Sequence, residues 1–164
     1  MNLQYNHIRE FDYYGPSCRD ANGQGIDEAT WKKVHDRFSE PRVILGIQPV
    51  HGAIEAIHLL QNSFEIHFAT TRLPNARIAT IEWLNDQGMA SRRPYSLHFV
   101  PHREKHTVLC RFSAIIDDDP VQAALFSELG LRSIVLAHPW NQGSDAPVER
   151  ANSWDEIVEL LGRP

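Results

Sequence analysis

The sequence predicts an α/β protein built on a parallel sheet with helices on both faces. Short apolar or alternating runs at 64–69, 95–99, 113–116 and 133–137 are typical of strands, and segments with helical spacing separate them. Strands that alternate with helices of this length favour a doubly wound, Rossmann-like arrangement. Right-handed crossovers then bring all the strand carboxyl ends to one edge, where open α/β sheets bind ligands.

The length and composition are those of one globular domain. The chain has 164 residues, of which 42% are hydrophobic and 23% charged, enough for a buried core. The net charge of −5 disfavours an extended nucleic-acid surface, although a small phosphorylated substrate still fits a locally positive pocket. No apolar run approaches the ~20 residues needed to cross a membrane. The two cysteines show no metal-like spacing, so we expect a cytoplasmic protein.

The N-terminal part of the predicted single domain, 1–164, is atypical. Residues 1–25 are rich in turn formers and carry only a broken alternation that begins at Leu3. We interpret 1–48 as a lid-like or atypical segment and 49–164 as the Rossmann-like core.

Helical spacing places the remaining elements. A helix over 26–39 is expected to stop at Pro41, an apolar connector at 43–47 to follow, and a second helix to span 49–61. Later predictions are a helix with Ile78, Ile81, Leu84 and Trp83 inward, a polar loop at 102–106, a short helix through Val108 and Leu109, a helix lined by Val121, Ala124, Leu125 and Leu129, a loop at 140–152, and a last helix capped by Ser153.

Three acids end the strand at 113–116. Asp117, Asp118 and Asp119 follow four small or branched residues, and Pro120 comes next. Adjacent carboxylates repel one another unless a cation lies between them, and a hard ion such as Mg²⁺ prefers oxygen ligands. The alternative is a solvated acidic turn in which Asp119 caps the helix that Pro120 begins.

Polar residues after three strands would meet at the same edge. Thr70, Thr71 and Arg72 follow one strand, Lys105 lies beyond another, and the acids from Asp117 follow a third. A hydroxyl, an ammonium group and metal-binding carboxylates together suit a phosphoryl group. Each feature also has an ordinary interpretation, because strand-end threonines cap helices and lysines are mostly solvated. His102 and His106 flank the lysine and are expected to lie in a soluble loop rather than to bind metal.

At this point the chain resembles the haloacid dehalogenase superfamily of phosphohydrolases. The resemblance lies in 64–72, the Thr-x-x-Trp-Leu run at 80–84, Lys105 and the acidic strand end at 115–120, in that order. Within that superfamily, 135–141 and 153–157 are similar to the cytosolic 5′(3′)-deoxyribonucleotidase-like branch. The whole resemblance covers roughly 45–161.

The resemblance implies a role for each matched residue. Thr70 would be the phosphate-binding hydroxyl, Lys105 the phosphate-neutralising lysine, and Asp117 and Asp118 the Mg²⁺ ligands. The implied substrate contacts are Thr70, Thr71, Arg72 and Lys105.

The family's first motif, Asp-x-Asp-Gly-Thr with its nucleophile, has no full counterpart. The nearest segment, 11–15, keeps Asp12 but places Tyr14 where the acid should stand. Asp12 is therefore the remaining candidate for the nucleophile and for a further metal ligand. Either the motif is degenerate, or the chain begins after it; the sheet would then lack its middle strand, and a partner or a rearranged N-terminus would fill the gap.

These observations predict a Mg²⁺-dependent phosphatase that acts on a small phosphate monoester, with a 5′-nucleotide as the suggested substrate. The alternative is a catalytically impaired relative that serves as a binding or regulatory module. A third interpretation, an unrelated flavodoxin-like or receiver-like domain, would be supported if Thr70 and Asp117 lay far apart. Self-association through the N-terminal region also stays open.

Overall fold

The computed structural model describes residues 25, 27–101, 104–108 and 111–162. Several sequence predictions lie outside the described residues and have no structural outcome. They are the alternation from Leu3, the nucleophile candidate Asp12, the loop residue His102, and the two cysteines, Cys18 and Cys110.

Helices and short strands alternate along the described part of the chain. The helices are α1 Glu28–Phe38, α2 Pro41–Leu45, α3 Ala53–Leu60, α4 Arg77–Asp86, α5 Lys105–Val108, α6 Pro120–Glu128 and α7 Trp154–Leu161, and a 3-10 turn at Pro74–Ala76 precedes α4. The strands are β1 His67–Thr70, β2 Ser96–Phe99, β3 Ala114–Asp117, β4 Arg132–Leu136 and β5 Glu149–Ala151.

The strands form two small parallel sheets, so the predicted α/β class is confirmed. β1 pairs with β2 from His67 opposite Ser96 to Thr70 opposite Phe99. In the other sheet β4 lies between β3 and β5 and runs parallel to both. Within the described residues no ladder joins β1 to β3.

β1 and β3 nevertheless run in the same direction. The Phe112 ring, just before β3, packs edge-on against the ring of His67 at the start of β1, with centroids 4.5 Å apart. Further along β1, Ala69 packs against the cluster that contains Ile115 of β3. The starts of the two strands therefore lie together, and their carboxyl ends share one edge.

Helices pack on both sides of the three-stranded sheet. Ile116 packs against the cluster that contains Leu60 of α3 and Ile157 of α7. Its neighbour Ile115 packs with Phe126 of α6. Because successive residues of a strand point to opposite faces, α3 and α7 lie on one side and α6 on the other.

The predicted inner faces of two helices were wrong in part, although Leu84 is buried and Trp83 packs against the core as expected. Ile78 and Ile81 lie at the surface, and Ala79, Thr80 and Leu84 are the buried residues of α4. On α6, Val121 and Leu129 are likewise exposed, whereas Gln122, Ala123 and Phe126 are buried. Small residues allow the close contact of α4 with α2, where Ala76 and Ala79 pack on Ile44, so volume and not hydrophobicity alone selects the buried face.

Some predicted boundaries were also wrong. Pro41 does more than stop the first helix, because it occupies the first turn of α2, where a missing N–H costs nothing. Lys105 begins α5 and does not lie in a loop. The predicted loop at 140–152 contains β5, and α3 begins at Ala53 after Gly52 in the left-handed region.

No helix among the described residues is long and apolar enough to cross a membrane.

Candidate functional site

Lys105 and Asp117 form a closely packed ion pair at the carboxyl end of β3. Lys105 Nζ lies 2.7 Å from Asp117 Oδ2, and the two side chains are 21% and 4% exposed. The short helix α5 brings the lysine to the strand end, where β3 delivers the aspartate. The structure thus brings together two residues that the sequence placed 12 positions apart.

Asp119 is the helix cap, as one of the two interpretations of the acidic turn predicted. Its Oδ1 accepts hydrogen bonds from the backbone N–H groups of Val121 (2.9 Å) and Gln122 (3.2 Å) at the start of α6. Its own N–H donates to Asp117 Oδ1 at 3.1 Å. The same turn therefore fixes the orientation of Asp117, and Asp119 serves the helix rather than the edge of the sheet.

The surroundings of Asp118 disfavour its ionised form. Burial and then the charge of Asp117 raise the pKa of Asp118, the charge of Lys105 lowers it, and the net result is a pKa of about 6. One ammonium group thus does not balance two neighbouring carboxylates. A second cation at this point would lower the electrostatic cost of keeping both ionised.

Asn141 holds the acidic turn in place, a role that the sequence prediction missed. Its buried amide donates to the carbonyls of Asp118 and Leu136, both at 2.9 Å, and its Oδ1 accepts from the His138 N–H at 2.9 Å. Arg150 of β5 donates to the Asn141 side chain and carbonyl, both at 3.1 Å. The Asn lies in the run that carries the resemblance, but no sequence pattern indicated that its amide bridges two strand ends.

Thr70 ends β1, and Arg72 follows it at the same edge. Thr70 Oγ1 accepts from the Arg72 N–H at 3.2 Å, and the Arg72 guanidinium donates to Thr80 Oγ1 at 3.1 Å. Burial lowers the pKa of Arg72, and no carboxylate of the described residues forms an ion pair with it. A half-buried guanidinium beside a strand-end hydroxyl suits an anion. Thr71, the third residue of the predicted group, is exposed.

A cavity of about 460 Å³ opens beside the Lys105–Asp117 pair. It runs between β1 and β3, and Lys105, Asp117, Asp118 and His138 line it at the carboxyl edge. Thr70 and Arg72 do not line it. His138 stacks on Trp140 with ring centroids 4.4 Å apart, and burial lowers the pKa of His138.

The donor set is compatible with a magnesium ion held by few protein ligands. Among the described residues no group of three or more His, Cys, Asp or Glu side chains is arranged to hold a metal ion. Mg²⁺ often takes only one or two carboxylates and completes its shell with water and substrate phosphate. Asp118, with its raised pKa, and Asp117, whose oxygens still have lone pairs to offer, fit that mode, whereas an all-protein cage does not fit.

The comparisons with known proteins leave the family open. A scan against protein-family models finds no match, and a search of curated proteins finds no similar sequence.

Proposed function

We propose that this chain is a Mg²⁺-dependent phosphatase of the haloacid dehalogenase type that acts on a small phosphate monoester such as a 5′-nucleotide. The observation that carries the proposal is the Lys105–Asp117 pair, with Asp118 beside it, at the carboxyl end of β3. The corresponding fold is a doubly wound, Rossmann-like sheet. The parallel ladders and the helices on both sides of β3 and β4 support that fold.

In this proposal each of the described site residues contacts a different part of the phosphoryl group. The Lys105 ammonium group offsets the charge of the phosphate. The hydrogen bond from Lys105 to Asp117 holds that ammonium group at the carboxyl edge of the sheet. Thr70 offers a hydroxyl, and the guanidinium of Arg72 offers a positive charge without a carboxylate partner in the described part of the chain. Mg²⁺, held by Asp117 and Asp118, would polarise a phosphate oxygen.

Hydrolysis through an aspartyl-phosphate needs a nucleophilic carboxylate. Its oxygen attacks phosphorus as the ester P–O bond breaks, and the leaving alkoxide takes a proton from water. A water molecule then hydrolyses the aspartyl-phosphate, which releases inorganic phosphate and restores the carboxylate. Asp12 is the candidate from the sequence and lies outside the described residues. Asp117, which is bound to Lys105, and Asp119, which caps α6, are engaged elsewhere.

The test is phosphate release from p-nitrophenyl phosphate and a panel of nucleoside monophosphates, with Mg²⁺ and with chelator. We expect Mg²⁺-dependent turnover that falls at least about a hundredfold in Asp117→Asn, in Lys105→Met and in Asp12→Asn, since each removes a charge that acts on the phosphoryl group. Lys32→Met is the matched control, because Lys32 pairs with Asp36 in the open on α1. Turnover unchanged by Asp117→Asn would contradict the proposed site.

A second candidate is a catalytically impaired binding module of the same fold. The specific observation in its favour is that neither Asp117 nor Asp119 is free to act as the nucleophile. Calorimetric titration with inorganic phosphate in the presence of Mg²⁺ separates the two candidates. Binding that Lys105→Met weakens, without turnover of any substrate, would favour the binding module.

A further inference from the structure

The loop that follows β4 carries two aromatic rings that stack on each other beside the candidate site. The imidazole of His138 and the indole of Trp140 are nearly parallel, with an angle of 7° between their planes and ring centroids 4.4 Å apart. This is the geometry of an offset aromatic stack. The two rings, which we call the ring pair, therefore form a flat aromatic surface at the carboxyl edge of the sheet.

Hydrogen bonds hold the backbone of this loop in place. The His138 N–H donates to Asn141 Oδ1 at 2.9 Å, and the Asn141 N–H donates to the His138 carbonyl at 3.1 Å. The Asn141 amide also donates to the Asp118 carbonyl at 2.9 Å, so one residue ties the loop to the acidic turn after β3. A surface that is already fixed loses less conformational entropy when a ligand binds to it.

His138 is the member of the ring pair that borders the cavity. It lines the cavity together with Lys105, Asp117 and Asp118, whereas Trp140 does not line it. The imidazole is therefore part of the cavity wall, and the indole packs against it from outside the cavity. The cavity volume of about 460 Å³ lies within the range of about 300–1,000 Å³ that is usual for small-molecule sites.

The charge of the two cavity groups differs, and so do the parts of a ligand that each group suits. Burial lowers the pKa of His138 from its ordinary value of 6.5, so its ring is mostly uncharged at pH 7. The ammonium group of Lys105 attracts an anion, whereas an uncharged flat ring attracts another flat ring. The wall that leads to His138 is apolar as well, because Leu136 of β4 lines the same cavity.

We propose that the ring pair is the subsite for a flat aromatic group of the substrate, such as the base of a nucleotide, while Lys105 binds the phosphoryl group of the same molecule. This inference rests on the proposed function, because it assigns a second part of the same substrate. Stacking of a base on an aromatic side chain contributes about 5-fold to 150-fold in affinity. The protein should therefore bind a nucleoside monophosphate more tightly than a sugar phosphate without a base.

Two probes that differ only by the base test the proposal. They are adenosine 5′-monophosphate and ribose 5-phosphate, each as the phosphonate in which a methylene group replaces the ester oxygen, so that neither is hydrolysed. Calorimetric titration in the presence of Mg²⁺ measures their affinities for the full chain. We expect the wild type to bind the adenosine compound at least about fivefold more tightly than the ribose compound.

Variants at His138 locate the source of that preference. His138→Ala should abolish the preference for the adenosine compound and leave the affinity for the ribose compound unchanged, whereas His138→Phe, which keeps a flat ring, should retain the preference. The matched control is His58→Ala, because His58 is also half-buried but lies 3.1 Å from the Gly88 carbonyl and does not line the cavity. It should leave both affinities unchanged.

The wild-type protein alone gives a second measurement, which holds even if the His138 variants fail to fold. Nuclear Overhauser effects should join the base protons of the bound adenosine compound to the ring protons of His138. Equal affinity for the two probes, binding of neither probe, a preference that persists in His138→Ala, or a bound base without contacts to His138 would each overturn the subsite.

The outcomes for the subsite and for the phosphatase activity are separate. Turnover of p-nitrophenyl phosphate and of nucleotides without any preference for the base would overturn the subsite and leave the proposed function standing. A preference for the base that His138→Ala removes, in a protein that releases no phosphate from any substrate, would support the subsite and contradict the phosphatase.

Discussion

Lys105 Nζ lies 2.7 Å from Asp117 Oδ2, and the aspartate is only 4% exposed. The pair joins a short helix to the carboxyl end of a buried strand. Burying an ionised carboxylate is energetically costly unless a cation stays paired with it, and here that cation is the Lys105 ammonium group. The pair is therefore both the centre of the proposed site and a constraint on the fold.

Removing the lysine should cost more stability than removing an exposed one. Lys105→Met leaves Asp117 charged and buried, so we expect the free energy of unfolding to fall by about 3 kcal/mol. Lys32→Met, at an ion pair whose side chains are 77% and 52% exposed, should change it by less than about 1 kcal/mol. Urea denaturation of both variants measures the difference. Equal small losses would mean that solvent screens the Lys105–Asp117 pair.

The acidic turn should destabilise the metal-free protein as the pH rises. The pKa of Asp118 is raised from 3.8 to about 6, so its contribution to stability is fully present below 3.8 and is lost as the pH rises through about 6. In chelator, Asp118→Asn should therefore stabilise the protein at pH 7.5 by on the order of 1–3 kcal/mol and change little at pH 4. Melting temperature against pH provides the measurement.

Glu149→Gln is the control for that experiment, because its effect on stability should depend on pH in the opposite direction. A hydrogen bond from Arg132 lowers the pKa of Glu149, so this exposed carboxylate contributes stability that is lost as the pH falls. Glu149→Gln should cost stability at pH 7.5 and progressively less toward acid. If Asp118→Asn followed the same trend as Glu149→Gln, the electrostatic description of the turn would be wrong.

Asn141 should be worth several times an ordinary surface asparagine. Asn141→Ala removes a buried amide that serves two carbonyls and one N–H, so we expect a loss of about 2–3 kcal/mol. Asn85→Ala, which removes one exposed bond of 3.0 Å to the Tyr95 hydroxyl, should cost less than about 1 kcal/mol. Denaturation curves of the two variants give the comparison. Near-equal losses would show that water replaces the Asn141 bonds.

Local patterns in the sequence predicted the class of fold and much of the element order. The alternation of Tyr95, Leu97 and Phe99 led to β2, and Pro120 after Asp119 led to the capped start of α6. These features depend on residues within a few positions of one another, where propensity and capping dominate. Such signals do not depend on which other element packs nearby.

Contacts between residues far apart in the sequence could not be predicted from local patterns. The exposed Ile78 and the buried Thr80 shift the buried face of α4 from the expected one, because the fit against α2 decides which residues are covered. β5 was missed because Glu149 and Arg150 are polar, and pairing with β4 rather than hydrophobicity makes this segment a strand. The Asn141 bridge likewise depends on strand ends that meet only after folding.

The face of the β1–β2 sheet carries a histidine pair that should make stability sensitive to acid. His67 Nδ1 lies 3.0 Å from His98 Nε2, the rings stack with centroids 5.3 Å apart, and Glu65 Oε1 lies 3.2 Å from His67 Nε2. Burial, and then the charge of His67, lower the pKa of His98. Two imidazolium ions cannot share one hydrogen bond, since each would bring only donors to it.

The sign of the effect follows from that lowered pKa. A histidine that is held neutral in the folded state contributes stability above its ordinary pKa of 6.5, and this stability is lost as the pH falls through the folded value. We expect the melting temperature of the wild type to fall between pH 7 and 5 more steeply than that of His98→Gln, which keeps a hydrogen-bonding group near His67 without titrating. Thermal denaturation across this range measures the slopes, and an NMR titration of the His98 ring measures its pKa directly. Parallel slopes in the two proteins would mean that the pair carries no titration-linked stability.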